Sequence, residues 1–195
     1  MSERHYYEDQ HFRTSEEERP TRKKSGGGVV EYLVILVVSF ALVFGFVRPF
    51  VVEAFWIPSG SMIPTLQIND RVLVNKFIYR FTEPERGDIV VFESVDDPDT
   101  DLIKRVVALP GDRIAVRSGR LIVNGEPQKE DFTNKKFPDR TFFAATTIPK
   151  EHVFVMGDNR ANSQDSRVFG PLPKENIEGE AFLRFWPLDR IGGLL

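Results

Sequence analysis

Cysteine is absent from this chain of 195 residues. That single gap removes thiol nucleophiles, disulfide bridges and thiolate metal sites together. Histidine is nearly absent too: His5, His11 and His152 are the only imidazoles, which leaves little for a zinc site or a histidine-based triad. A strong charge of either sign is also missing. The net charge of -3 supplies no attraction for phosphate backbones, so no nucleic-acid partner is expected. Internal repeats are lacking, and sustained helical periodicity is lacking outside one apolar run. Neither a metal nor a cofactor is called for by any cluster of ligating residues.

What is present begins with that run. Val29 to Val47 reads VVEYLVILVVSFALVFGFV, 19 residues with Glu31 as the only charge. As a helix rising about 1.5 Å per residue it matches the hydrocarbon thickness of a bilayer. Arg19, Arg22, Lys23 and Lys24 precede it, and after it Arg48 is the only Lys or Arg before Arg71. This asymmetry predicts one transmembrane helix over residues 29–48, with the N-terminus cytoplasmic and the remainder extracytoplasmic, in a cell membrane. A buried core helix fits poorly because the apolar character runs all round. A cleavable signal peptide is the better rival, since Val52-Glu53-Ala54 offers small residues at a suitable spacing. The length of the run and the flanking Arg48-Pro49 favour an anchor.

Residues 1–28 carry six basic and six acidic residues and end in Ser25-Gly26-Gly27-Gly28, the composition of a disordered cytoplasmic tail. Residues 49–195 change character. Short runs rich in Val, Ile and Phe (Arg71–Asn75, Asp88–Phe92, Leu102–Leu109, Arg113–Val116, Leu121–Val123, His152–Met156) alternate with turn signals at Pro110-Gly111, Ser118-Gly119 and Asn124-Gly125. Arg113–Val123 around Ser118-Gly119 reads as a hairpin. The extracytoplasmic part is therefore expected to be mostly β and antiparallel, with a small irregular insert around 126–150.

Three stretches could carry chemistry. Pro58-Ser59-Gly60-Ser61-Met62-Ile63-Pro64-Thr65-Leu66 is a small-residue turn between prolines that can present the Ser61 hydroxyl. A serine needs a base to become a nucleophile. His152 opens an expected strand, so a desolvated lysine is the alternative, because burial lowers an amine's pKa. Lys104 in the run Asp101–Leu109 shares a strand face with Leu102, Val106 and Ala108. Taken alone, such a lysine is more often a snorkelling edge residue, and Lys76 is a weaker competitor. The third stretch, Gly157-Asp158-Asn159-Arg160-Ala161-Asn162-Ser163-Gln164-Asp165-Ser166-Arg167, reads first as a loop of Asx turns. A calcium loop lacks the required spacing. A supporting network of Ser163, Asp165 and Arg167 is the third reading.

Taken in order, Pro58–Leu66, Gly87–Phe92, Lys104–Asp112 (KRVVALPGD) and Gly157–Arg167 (GDNRANSQDSR) resemble the motifs of bacterial type I signal peptidases, from about Phe55 to the C-terminus. The chain departs from longer members in having one span rather than two and a short stretch between Asp112 and Gly157. The resemblance implies coiled antiparallel sheets and a Ser/Lys endopeptidase that cuts signal peptides from exported preproteins after small residues. It implies Ser61 as nucleophile and Lys104 as general base, with Ser59 and Ser61 forming the oxyanion hole. Ser163, Asp165 and Arg167 would support the pair. Phe55, Ile57, Pro58, Met62, Leu66 and Ile103 would line the substrate pockets. Preproteins and the lipid bilayer are the implied partners.

Other functions compete. A self-cleaving repressor would need a DNA-binding domain where residues 1–48 hold a tail and an apolar run. A penicillin-binding type of acyl enzyme would need a lysine three residues after Ser61, where Pro64 stands. A membrane-anchored, non-catalytic β-domain that binds partners is the remaining alternative.

Overall fold

A computed structural model describes residues 28–47, 51–97, 99–136 and 138–194. The expected tail, apart from Gly28, lies outside the described residues, as do Arg48 to Phe50. The apolar run forms an α-helix, α1, over Val29–Leu42 and then loosens into a π-helical turn over Val43–Val47. Gly45, a poor helix former, lies within that turn. The run expected as a single helix over 29–48 is described as these two consecutive pieces, with Arg48 outside the described residues; among the described residues no helix is long and apolar enough to cross a membrane. The 14 residues of α1 rise only about 21 Å. Its large side chains point outward on every side, from Leu33 at 55% exposed to Val29 at 76%.

From Val52 onward the chain is β-rich. The strands are β1 (Val52–Trp56), β2 (Arg71–Asn75), β3 (Ile89–Glu93), β4 (Asp101–Ala108), β5 (Arg113–Arg117) and β6 (Arg120–Val123), then β7 (Glu126–Pro127), β8 (Phe143–Thr147), β9 (His152–Met156), β10 (Leu172–Pro173), β11 (Ile177–Trp186) and β12 (Gly192–Gly193). Eight form one sheet in the order β1-β2-β11-β3-β4-β9-β10, with β12 beside β11; β7-β6-β5-β8 form a second. Every pairing is antiparallel.

The large sheet is covered on both faces, which explains why β3 reads as an unbroken apolar run. Ile89 and Val91 join Ile57, Met62, Leu66, Val72, Val74 and Ile103 in one cluster. Val90 and Phe92 join Val106, Val153, Val155 and Leu172 in another. A third cluster, with Val107, Ile114, Val116, Leu121, Phe154 and Met156, ties the second sheet to the first. Strand β4 serves both because a bulge between Val106 and Ala108 breaks its register against β9.

The excursion is larger than an insert at 126–150. It begins at Arg113 and takes in the predicted hairpin, whose turn has φ of 49° at Ser118 and 72° at Gly119, the primed geometry that suits twisted strands. Its longest stretch without strand among the described residues is 128–136 together with 138–142.

Candidate active site

The turn after β1 is held from below. Ile57 exchanges backbone hydrogen bonds with Asn69 and Asp70 (both 2.9 Å), and Met62 and Leu66 are wholly buried. Ser61, between these apolar anchors, is itself 8% exposed. Its hydroxyl lies 2.9 Å from Lys104 Nζ. The same amine donates to the Ile103 carbonyl at 2.9 Å.

Lys104 is 2% exposed. Its registered neighbour on β3 is Val90, and Val90, Val106 and the half-buried Leu102 share one apolar cluster. Burial lowers the lysine pKa to about 8, against the opposing pull of Asp165 and Asp158. An amine in that state can accept a proton from a neighbouring hydroxyl near neutral pH. Ser59 Oγ stands 3.4 Å from Ser61 Oγ on the exposed side of the turn.

Strand β9 delivers the third stretch. His152 sits at the start of β9, with its ring 2.8 Å from the Lys150 carbonyl, while Gly157 follows its far end and reaches the turn. A β-carbon on Gly157 would collide with Ser163 Oγ and the Ser61 carbonyl, so only glycine permits this approach. Asn159 donates from its backbone to the Ser61 carbonyl at 2.9 Å and from its side chain to the Gly60 carbonyl at 2.9 Å. Asp158, fully buried, accepts from Thr65 at 2.5 Å and pairs bidentately with Arg105 at 3.0 and 2.8 Å.

Asp165 and Arg167 form the expected ion pair at 2.8 Å. Asp165 also caps the helical turn Ser166–Phe169 and accepts from the Gly157 N–H at 3.0 Å. Ser163 Oγ is buried beside Gly157 but has no hydrogen-bond partner among the described residues, so the structure does not join it to Lys104. Of the six pocket residues, Phe55, Ile57, Met62, Leu66 and Ile103 come together in one cluster, and Pro58 is exposed beside it. Among the described residues no group of three or more His, Asp or Glu side chains could hold a metal ion.

Sequence reasoning passed over Asp158, Asn159 and Arg160 as partners, and also Glu130, which binds Arg160 through both carboxylate oxygens at 2.7 and 2.5 Å. The signal available for Asp158 was its place one residue after Gly157; Glu130 carried none.

A family profile described as signal peptidase, peptidase S26, matches residues 29–186. The chain belongs to this signal peptidase family. Signal peptidase I of Leptolyngbya laminosa is 43% identical over 155 residues, covering 76% of this chain and 75% of that protein. Signal peptidase I of Aquifex aeolicus is 34% identical over 218 aligned positions, covering 81% and 83%. The thylakoidal processing peptidase 1 of Arabidopsis thaliana chloroplasts is 43% identical over 145 residues, covering 69% of this chain and 42% of its own length. Family membership makes this protein a peptidase and sets aside the reading of a non-catalytic binding domain.

Proposed function

We propose that the chain is a membrane-anchored signal peptidase in which Ser61 Oγ is the nucleophile and Lys104 Nζ the general base. The observation that carries this reading is the 2.9 Å contact between the two atoms, made by a lysine that is 2% exposed.

Neutral Lys104 takes the Ser61 proton as Oγ attacks the carbonyl carbon of the scissile bond. The oxyanion that forms is met by the Ser61 N–H and the Ser59 hydroxyl; one side-chain donor of this kind lowers a barrier by about 3 kcal/mol. The intermediate collapses, the C–N bond breaks, and the lysinium proton passes to the departing amine. Neutral Lys104 then draws a proton from water as the water attacks the acyl ester. Ser163 Oγ, buried with no partner among the described residues, is available to the amine as it changes charge. Asp165 and Arg167 fix the loop that holds Ser163. Half-buried Phe55 and exposed Pro58 face the pockets that admit small side chains, and the buried Ile57, Met62, Leu66 and Ile103 support them from beneath.

The substrates are exported preproteins, cut after small residues of the Ala-X-Ala type. The apolar run Val29–Val47 anchors the chain in a single pass, N-terminus cytoplasmic. Apolar side chains exposed on all sides of α1 support this, since such a helix needs lipid around it. A second bilayer contact lies on the β-rich unit. Trp56 and Trp186 flank Arg71 in register, and Trp56, Trp186 and Leu188 are 57%, 46% and 68% exposed. Amphipathic aromatics favour the membrane interface.

The test is incubation of the detergent-solubilised full chain with a labelled preprotein carrying an Ala-X-Ala site. Wild type releases the mature protein; Ser61→Ala and Lys104→Arg release none, because arginine stays protonated. Wild-type turnover by either variant overturns the assignment.

A further inference from the structure

We propose that Glu130, on the irregular loop of the second sheet, is a positioning residue for the Ser61–Lys104 pair, acting through Arg160 and Gly157. The proposal rests on the Ser/Lys reading of the site and extends it to a part of the chain with no place in that chemistry.

Arg160 is 4% exposed, and among the described residues Glu130 is the only carboxylate paired with it. Both terminal nitrogens are spent on Glu130, so the planar fork is held in one orientation. That orientation aims Nε at the Gly157 carbonyl, 3.0 Å away. The N–H of the same residue is held by Asp165 at 3.0 Å. Gly157 is therefore gripped at both its N–H and its carbonyl, at the one place where the loop touches the Ser61 carbonyl with no room for a side chain. Two residues on, Asn159 takes the Ser61 and Gly60 carbonyls. The position of Ser61 thus depends on a loop whose outermost tie is Glu130.

Neighbours of Glu130 act in the same direction. The Phe132 ring lies 4.3 Å from the Arg105 guanidinium and 6.0 Å from that of Arg160. Asn134 donates its N–H to the Asp158 carbonyl at 3.0 Å, and Asp139 accepts from Arg167 at 2.8 Å. A buried ion pair is weak evidence of stabilisation, since an apolar pair of similar volume does as well. What a forked pair adds is direction, and direction is what the Nε contact to Gly157 requires.

The experiment compares wild type, Glu130→Gln, Glu130→Asp and Arg160→Lys as detergent-solubilised full chains on a peptide substrate, with circular dichroism to verify folding. Glu130→Gln keeps the size but loses the charge and the fork. Its kcat is expected to fall by about ten- to a hundredfold, the scale of a misplacement near 1 Å, while KM stays within about twofold. The acid limb of its rate profile moves to higher pH as the loosened loop admits water to Lys104. The charged groups facing that amine are Asp158 and Asp165, tied by Arg105 and Arg167, and the substitution leaves all four in place; the carboxylate it removes would by itself lower the lysine pKa, so a limb moved to higher pH reports packing rather than the lost charge. Glu130→Asp restores part of the rate. Arg160→Lys, which keeps a charge but has no Nε, gives the same kinetic signature and decides the matter if Glu130→Gln does not fold. Wild-type kcat and an unmoved limb in the folded variants would sink the brace, provided Ser61→Ala is inactive in the same assay. Activity in Ser61→Ala would instead remove the reading beneath it.

Discussion

The pKa of Lys104 offers the most quantitative test of the site. Burial brings it to about 8, whereas a free lysine titrates near 10.4. At pH 7 roughly a tenth of the enzyme then holds the neutral base, against about one molecule in a few thousand for an unshifted lysine, a gain of about two hundredfold in competent enzyme. The sign follows from the charge: only the deprotonated amine accepts the Ser61 proton, so kcat/KM rises with pH and levels off above the folded-state pKa. The assay is initial rates of the solubilised chain on a fluorogenic peptide with small residues at the cleavage site, from pH 6 to 10. Because burial is the larger influence and Asp165 and Asp158 oppose it, thinning the apolar cover must raise the limb. Leu102→Ser does this from the same cluster, and the limb should climb by about half a unit or more toward the free value. A wild-type limb near 10, or a limb in Leu102→Ser that stays put or falls, would refute desolvation as the cause.

Two further outcomes test the surroundings of the pair. Gly157→Ala should abolish turnover while leaving the β-rich fold, because its β-carbon collides with Ser163 Oγ and the Ser61 carbonyl; an active variant with an unchanged dichroism spectrum would contradict the close approach. Asp158→Ala leaves the nearly buried Arg105 guanidinium without its carboxylate and should cost about 3–5 kcal/mol, read as a lowered unfolding temperature; a loss under 1 kcal/mol would place Asp158 on a solvated surface.

The strands that sequence patterns reveal are those buried on both faces or closed by a defined turn. Ile89 to Phe92 and His152 to Met156 are apolar runs because the large sheet is covered twice, and Ser118-Gly119 marks its hairpin by positive φ. Strand β11 escaped notice although it is the longest and central in the sheet. Glu178, Gly179, Glu180 and Arg184 interrupt its apolar residues, and register shifts at three places destroy the period of two. Gly179 is required because a β-carbon there would meet the Asn75 carbonyl, a fact of packing that no local pattern carries. The site divides the same way. Ser61 and Lys104 were legible as a turn hydroxyl and an amine on an apolar strand, but their meeting across the fold was not. Asp158 and Arg160 read as loop residues because their partners, Arg105 and Glu130, lie 53 and 30 positions away.

Strands β4 and β9 are direct neighbours, although the whole second sheet lies between them in the chain. The two crossings are cinched together, since Gly111 and Asp112 exchange backbone hydrogen bonds with Ile148 at 2.9 and 2.8 Å. Topologically the second sheet hangs from a closed stem, as a side loop does on a hairpin. Its Ser118-Gly119 turn is not a free tip: Gly119 donates to the Thr141 carbonyl at 3.4 Å, and a β-carbon there would collide with the Asp139 backbone. Glu130 and Asp139 are the counter-ions of two arginines in the loop behind Ser61. Shortening the hairpin would therefore disturb Asp139, the counter-ion of Arg167, before it disturbed the strands of the large sheet.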